Sequence, residues 1–423
     1  MKQYLHPAEI LLPRYSVSDA EAWKKWSVIA CDQFTSEPEY WDDVKAVVGD
    51  APSTLRTILP EVYLSDRKAL TPKIHNAMNT LLSEKLLTEE KGMIYLSRRQ
   101  ADGMIREGIV AMLDLETYRY ERGAKTLTRA TEGTVLNRIP PRVEVRRNAP
   151  IELPHVMLLI DDPKCTVIEP IGVRAKEYRR AYDFELMLGG GHATGSWIPE
   201  SEYPMLNQAL AALIEPSAIK ERYGDASLAP LLFAVGDGNH SLATAKAHYE
   251  ELKASLGEAA ASVHPARYAL CEIVNLHSPA LQFEPIYRVV FGADIADLLA
   301  RFREYAENCE QKASAPQRFL YCAGEESGEI TVESPAFQLP VASLQDFLDG
   351  YQTTHPEIEI DYIHGEDSVR ALTKNGAVGF LFEGMEKNQL FRTVLYDGAL
   401  PRKTFSMGHA RDKRYYIEAR KIR

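Results

Sequence analysis

Short apolar runs and amphipathic stretches alternate along most of the chain, and this alternation predicts a mixed α/β fold. Between residues 66 and 87, apolar residues at helical spacing predict a long helix with Ile74, Met78 and Leu81 on its buried face. No fixed-period repeat is visible in the sequence, which argues against solenoids and propellers. Short segments rich in apolar residues predict strands at 93–96, 109–113, 156–160, 231–235, 268–274, 319–322, 358–362 and 378–382.

Local signals add helices and one hairpin to this pattern. Ser36, followed by acidic residues and a proline, predicts an N-cap and a helix that runs through Val47. Residues 182–188 and 196–198 flank the glycine-rich segment GGGHATG and predict a β-hairpin, in which His192 lies at the tip. Further amphipathic segments predict helices at 205–214, 295–305 and 344–351.

A polar stretch rich in alanine and glutamate, residues 251–265, is the best candidate for a domain boundary. The strand and helix pattern begins again after it. We therefore expect two lobes, residues 1–255 and 256–423, the second being a C-terminal α/β lobe.

Composition places the chain among ordinary globular proteins. It has 423 residues, of which 45% are hydrophobic and 26% charged, and its formal net charge is -11. This acidity argues against a nucleic-acid partner. The basic segment 411–423 is expected to be a solvated final strand.

The five cysteines are scattered and form no CxxC pair, and no stretch predicts a signal peptide or a membrane span, so we expect a cytoplasmic protein. The protein could form a homo-oligomer, and the sequence does not decide this point.

The most informative segment joins the apolar run 231–235 to a helical pattern through the residues Gly236, Asp237, Gly238, Asn239 and His240. Two glycines allow a tight turn and a close approach of a ligand to the backbone. Either Asn239 or Ser241, which comes directly after His240, can cap the helix. The first N–H groups of that helix favour phosphate. Asp237 is suited to Mg²⁺, and His240 adds a second polar group. The alternative is an ordinary strand-to-helix turn with no ligand.

Other candidates lie farther away in the sequence. Asp32 follows the apolar run 28–30 and is placed to act as a general base, the alternative being a plain turn aspartate. Arg129 and Arg138 belong to a basic run suited to phosphate recognition, with a solvated loop as the alternative. Lys403 lies beside a threonine in a turn, where surface exposure is the alternative. The glycine-rich hairpin has Walker A spacing, but Ser196 occupies the position of the required lysine.

Several segments in order resemble the DUF1015 family. The clearest is GDGNHSLATAK at 236–246, which is similar to the family's DGHHR or DGNH turn. The others are 95–118, 129–142, LQFEPIYRVV at 281–290 and GALPRKTFSMG at 398–408. The sequence departs from the family pattern at three places. Ser241 stands where many relatives have arginine, and Tyr287 stands where histidine is usual. Near the start, the family's Pro-Tyr-Asp motif is replaced, and only its acid is matched, by Asp32.

The resemblance implies a ParB/sulfiredoxin-like nucleotide-binding core with large insertions, related to a free-serine kinase. It implies that Asp237, Asn239 and His240 face nucleotide phosphates and metal. The cofactor expected on this basis is ATP or ADP with Mg²⁺. Arg288, in the segment 281–290, or Lys403 is then expected to offset charge as the phosphoryl group moves.

Two functions follow as alternatives. The first is a nucleotide-dependent phosphotransferase that acts on a small hydroxyl metabolite such as free serine, with Asp32 taking the proton of the hydroxyl. The second is a non-catalytic nucleotide-binding regulator of the ParB type, in which the same turn binds but does not catalyse.

Overall fold

The structure is a computed structural model that describes residues 2–35, 37–133, 139–310, 313, 315–374 and 376–423. Ser36 and Arg138 lie outside the described residues. The described chain forms two compact units. The first contains residues 2–130, 139–281 and 409–423, and the second contains residues 131–133 and 282–408, apart from the positions that are not described.

Helices and strands alternate throughout the described residues, so the predicted mixed α/β class is confirmed. The strands are β1 (Ala8–Pro13), β2 (Val28–Ile29), β3 (Leu87–Gly92), β4 (Ile94–Arg99), β5 (Ile105–Asp114), β6 (Tyr118–Arg119), β7 (Thr128–Ala130), β8 (Ile151–Glu152), β9 (Met157–Ile160), β10 (Arg180–Glu185), β11 (His192–Trp197), β12 (Phe233–Asp237), β13 (Tyr268–Asn275), β14 (Phe283–Phe291), β15 (Gln317–Ala323), β16 (Glu326–Val332), β17 (Glu359–His364), β18 (Val378–Phe382), β19 (Phe405–Met407), β20 (Tyr415–Tyr416) and β21 (Ala419–Lys421). The helices are α1 (Ala20–Trp26), α2 (Pro38–Val48), α3 (Arg67–Ser83), α4 (Ile139–Arg147), α5 (Glu169–Arg174), α6 (Tyr203–Leu213), α7 (Pro216–Tyr223), α8 (Asn239–Leu256), α9 (Glu258–Ser262), α10 (Ile295–Asn308), α11 (Pro340–Thr354), α12 (Glu366–Thr373) and α13 (Lys387–Tyr396).

Elements with strong local patterns lie where the sequence predicts them. Helix α3 buries Ile74, Met78 and Leu81, as its spacing requires. Strands β10 and β11 form the expected hairpin. His192 opens β11 instead of lying at the tip, and its ring nitrogens contact the carboxylates of Asp183 and Glu185.

The largest sheet of the first unit carries the candidate site. Among the described residues it has nine strands, in the order β10-β11-β4-β5-β13-β9-β12-β7-β6. Strand β9 pairs antiparallel with β12 and parallel with β13. Met157 is therefore the partner of Asp237 on one side and of Glu272 on the other. This register brings the end of β12 close to a buried carboxylate on β13.

The C-terminal residues belong to the first unit, which corrects the expectation of a solvated final strand. Strand β20 pairs with β2, and β21 pairs with both β1 and β8. Arg414 and Arg420 are 1% and 2% exposed. Each pairs with buried carboxylates, so these basic residues neutralise charge inside the unit instead of facing solvent.

This packing also places the boundary between the two units later in the sequence than expected. The contacts separate the two units after Leu281, whereas the predicted boundary after residue 255 falls inside α8. The physical reason is that β13 pairs with β5 and β9, and so completes the sheet of the first unit.

The second unit is built on the strand order β16-β15-β18-β14-β17, with β19 paired to β14. Its core includes Val289, Val369 and Leu381. No helix in the described part of the chain combines the length and apolar composition needed to cross a bilayer.

A buried ion cluster lies beneath the nine-stranded sheet. Glu272 accepts hydrogen bonds from Arg106 and Arg414, and Arg414 also contacts Glu418. All four side chains are 2% exposed or less. A second buried carboxylate, that of Glu152, pairs with two other arginines. Charges this deeply buried require partners, so the clusters couple β5, β13 and the C-terminal segment.

The buried carboxylates predict sensitivity to acid. Burial alone would raise the pKa of Glu272 and of Glu152, but the paired arginines prevail and hold the pKa of each at about 2, below the usual 4.5. A carboxyl with a lowered pKa in the folded state contributes stability above about pH 4.5, and this contribution is lost as the pH falls toward 2. We expect the urea midpoint, followed by tryptophan fluorescence, to drop between pH 5 and pH 3. An unchanged midpoint at pH 3 would contradict this assignment.

Candidate functional site

The site is organised by the turn between β12 and α8. Gly238 has φ +79°, precedes the first residue of α8, and donates its N–H to Asp237 Oδ1 at 3.0 Å. The N-cap residue is Gly238, which has no side chain to cap the helix. Asn239 is the first helical residue, so the expected cap by Asn239 or Ser241 is wrong. The left-handed glycine makes the turn by itself.

Close packing explains why both glycines are needed. A Cβ at Gly238 would lie 3.1 Å from Val156 Cα and 3.4 Å from His155 Cδ2. A Cβ at Gly236 would lie 2.7 Å from Leu159 Cγ. The turn therefore lies directly against β9 and the segment that precedes it.

Solvent reaches this turn although the elements on both sides are buried. Residues 236–241 are partly exposed, whereas 231–235 and 242–246 are buried. The Leu242 N–H donates to the Gly238 carbonyl at 3.0 Å and closes the first helical turn. The N–H groups of the three residues before Leu242 point toward the turn, as in any helix start.

Ser241 and His155 form a hydrogen-bonded pair beside the turn. Ser241 Oγ lies 2.9 Å from His155 Nε2, and His155 Nδ1 lies 2.7 Å from the Tyr416 hydroxyl oxygen. His155 is 7% exposed and Tyr416 2% exposed. The imidazole is therefore held at both nitrogens.

Tyr416 has a second partner besides His155. Its hydroxyl oxygen accepts the Cys31 N–H at 3.2 Å. Burial raises the pKa of Tyr416 well above its usual value, so the hydroxyl stays protonated. In the tautomer with the proton on Nδ1, His155 donates to the Tyr416 oxygen and Nε2 accepts from the Ser241 hydroxyl.

Asp32 lies within reach of the same histidine. Asp32 Oδ2 is 3.9 Å from His155 Nε2, and the Gln33 amide donates to Asp32 Oδ1 at 2.9 Å. Burial would raise the pKa of Asp32, but His155, Gln33 and Lys413 together lower it. The carboxylate is thus ionised at neutral pH, and it can stabilise a proton on His155.

Lys413 brings a cation to the turn. Its Nζ lies 3.3 Å from Asp237 Oδ2, and the two side chains are 16% and 18% exposed. The Lys413 charge also helps to lower the pKa of Asp32. The site therefore combines two acids, one lysine and one histidine.

Two buried arginines hold the segment that carries Lys413. Arg106 donates to the Asp412 carbonyl at 2.6 Å. Arg98 donates to the carbonyl groups of Arg411 and Lys413. Since Arg106 also pairs with Glu272, the buried ion cluster supports the position of this segment.

The remaining predicted arginines have structural partners. Arg129 donates to the carbonyl groups of Thr126, Ala229 and Pro230, and burial lowers its pKa to about 10. In the second unit, Arg288 is fully buried, and burial lowers its pKa to about 10 as well. Its guanidinium donates to Gln345 and to the carbonyl groups of Ile286, Arg402 and Lys403.

Two other predicted residues have fewer described contacts. Lys403, also in the second unit, is exposed, and its Nζ lies 5.2 Å from the centre of the Tyr362 ring. His240 is the second residue of α8 and is partly exposed, and its carbonyl accepts from Thr244 Oγ1 at 2.7 Å.

A metal would meet a limited donor set here. Among the described residues, no group of three or more histidine, cysteine or acidic side chains is arranged to hold a metal ion. Mg²⁺ in nucleotide sites takes one or two carboxylates and obtains its other ligands from phosphates and water. The Asp237 carboxylate fits that limited role and no larger one.

Sequence reasoning missed His155, Lys413 and Tyr416. His155 lies 86 residues before Ser241, in a short segment with no motif. Lys413 and Tyr416 belong to the tail that was expected to be solvated. No signal within about 20 residues of the turn points to any of them.

Comparison with solved structures finds distant likenesses. A conserved hypothetical protein from Pyrococcus furiosus is 13% identical, with a TM-score of 0.33 and coverage of 71% of this chain and 90% of that one. A free serine kinase mutant in complex with AMP is 13% identical, with a TM-score of 0.37 and coverage of 71% and 88%. Another complex of that kinase mutant contains ADP and has a TM-score of 0.36. TM-scores below 0.5 do not establish a shared fold.

The sequence itself gives a clearer result. No curated protein matches the chain. The family described as "Protein of unknown function (DUF1015)" matches residues 11–351, which is well over half of the chain. The motif resemblance at the turn between β12 and α8 lies inside that match. The chain belongs to the DUF1015 family.

Proposed function

We propose that the first unit binds ATP or ADP at residues 236–241 and transfers a phosphoryl group to a small hydroxyl metabolite, with free serine as the first acceptor to test. The observation that carries this proposal is the arrangement at the start of α8. There the partly exposed start of α8, the Asp237–Lys413 pair and the Ser241–His155 pair meet at one turn. A ParB/sulfiredoxin-like core, as the motif implies, is part of the proposal.

The phosphates would be bound by the N-terminus of α8 and by Lys413. Helix N–H groups and the helix dipole favour negative charge at this end. The Lys413 ammonium is already held at the turn by Asp237, so it adds a charge-assisted hydrogen bond with little further ordering. Mg²⁺ that enters with the nucleotide would meet the Asp237 carboxylate, and it would neutralise charge on the phosphates.

His155 is the proposed general base. With the ring proton on Nδ1, Nε2 can accept a hydroxyl proton, and Tyr416 fixes the ring. Asp32, expected from the sequence to be the base, has a lowered pKa and is the weaker proton acceptor. Its carboxylate, 3.9 Å from Nε2, instead stabilises the charge that His155 gains. Arg129, Arg288 and Lys403 have no part in this scheme.

Nucleotide titration tests the binding step. We expect ATP or ADP with MgCl₂ to raise the melting temperature, since a ligand at 100 times its Kd adds about 2.7 kcal/mol of stability. Lys413→Met should weaken nucleotide Kd by roughly 10- to 100-fold, because a hydrogen bond to a charged group contributes about 1.5–3 kcal/mol. Lys164→Met is the matched control, as Lys164 forms an exposed ion pair with Glu221.

Two outcomes separate this proposal from its alternatives. If neither nucleotide binds, the proposal fails. If a nucleotide binds tightly but no hydroxyl acceptor, including serine, is phosphorylated, the regulator of the ParB type replaces the phosphotransferase.

A further inference from the structure

We propose that Ser241 is itself a phosphoryl acceptor, so that the group passes from the nucleotide to Ser241 Oγ and then to the metabolite. The inference rests on the proposed function, because it requires a phosphoryl donor at the turn. It goes further by naming a covalent intermediate on this chain. The juxtaposition behind it is a serine hydroxyl bonded to a fixed, buried histidine at a partly exposed helix start.

The Ser241–His155 geometry is that of a nucleophile and its base. The 2.9 Å separation of Ser241 Oγ and His155 Nε2 lies within the 2.6–3.2 Å range of such pairs. A third group, the Tyr416 hydroxyl, orients the base through Nδ1 at 2.7 Å. Cys31 in turn anchors Tyr416 through its N–H. Nucleophile, base and orienting group are thus present together.

The position of Ser241 on the helix favours the phosphorylated product. Ser241 is the third residue of α8, where a phosphoserine would meet the helix N–H groups and the positive end of the dipole. The side chain is partly exposed, so a nucleotide phosphate can reach it. Many family relatives are expected to have arginine at this position, so this inference concerns the present chain.

The first step balances as a displacement at phosphorus. Ser241 Oγ attacks the terminal phosphorus of the nucleotide, and the new O–P bond forms as the bond from phosphorus to the bridging oxygen breaks. The bridging oxygen keeps the electron pair and leaves with the shortened nucleotide. The hydroxyl proton moves to His155 Nε2, where Asp32 stabilises it. In the second step the acceptor oxygen attacks the phosphorus of the phosphoserine, and the bond from phosphorus to Ser241 Oγ breaks. Oγ keeps the electron pair and takes back the proton held by His155 Nε2, and the proton of the acceptor hydroxyl passes to solvent.

The test uses the full chain with ATP labelled in its terminal phosphate, and in parallel with ADP labelled in its β-phosphate, each with MgCl₂ and no acceptor. We expect acid-stable label that peptide mass spectrometry locates on Ser241. When serine, or another acceptor identified by a product assay, is added, the label should leave Ser241 and be recovered on the phosphorylated acceptor. Ser241→Ala should abolish the label, and His155→Asn should slow its formation.

Ser227→Ala is the matched control. Ser227 is an exposed serine whose hydroxyl bonds Asp225 and no histidine, so its loss should leave the label unchanged. Two results would overturn the inference while leaving the proposed function in place. One is label on another residue; the other is full phosphorylation of the acceptor by Ser241→Ala. A chain that binds no nucleotide would remove the inference and the proposed function together.

Discussion

Replacing His155 with asparagine is expected to lower kcat for phosphoryl transfer by about 10²–10⁴-fold, the usual contribution of a positioned general base. His155 Nε2 is bonded to the Ser241 hydroxyl and lies 3.9 Å from Asp32. Asparagine keeps a polar group in the buried position but cannot accept and hold a proton. Nucleotide affinity should not change, because His155 is not among the groups proposed to bind phosphate. Initial rates and a parallel nucleotide titration measure the two effects separately.

His192→Asn is the control for that substitution. His192 is partly buried and its ring nitrogens contact the carboxylates of Asp183 and Glu185, but it lies in the β10–β11 hairpin, away from the turn. We expect its replacement to leave kcat unchanged. If His155→Asn and His192→Asn have the same small effect, His155 is not the base.

Replacing Glu272 with alanine is expected to lower the free energy of unfolding by about 3–5 kcal/mol, as is typical when one partner of a buried ion pair is removed. Arg106 and Arg414 would each lose a carboxylate while remaining almost fully buried. The four tryptophans, Trp23, Trp26, Trp41 and Trp197, all lie in the first unit, so urea unfolding followed by tryptophan fluorescence reports on that unit.

Glu251→Ala provides the matched comparison. Glu251 pairs with Arg147 on the surface, where both side chains are about half exposed, and its loss should cost about 0–1 kcal/mol. Equal losses for the two variants would show that the buried cluster does not stabilise the unit. Because Arg106 also holds the Asp412 carbonyl, Glu272→Ala should weaken nucleotide binding through Lys413 as well.

The parts of the fold that depend on local pattern could be predicted from the sequence. The turn between β12 and α8 follows from an apolar run, two glycines and a helical stretch, all within about 20 residues. The hairpin and the buried face of α3 follow in the same way. The N-cap could not be predicted, because asparagine and serine are good caps and either could start the helix, whereas the structure places the left-handed Gly238 at that position.

The parts that depend on long-range pairing could not be predicted. Strand β13 looks like the start of a new lobe in the sequence, but it completes the first sheet through β5 and β9. Charge alone suggested that the basic tail is solvated. Arg414 is instead buried because Glu272, 142 residues away, neutralises it. Lys413 and Tyr416 reach the site only as a result of that packing.

A crystal structure of the protein with ADP and Mg²⁺ is the most direct test of the central claim that the start of α8 receives phosphate. The account predicts phosphate oxygens within hydrogen-bond distance of the N–H groups of residues 239–241 and of Lys413 Nζ. Nucleotide bound elsewhere on the chain, with this turn in contact only with solvent, would contradict it.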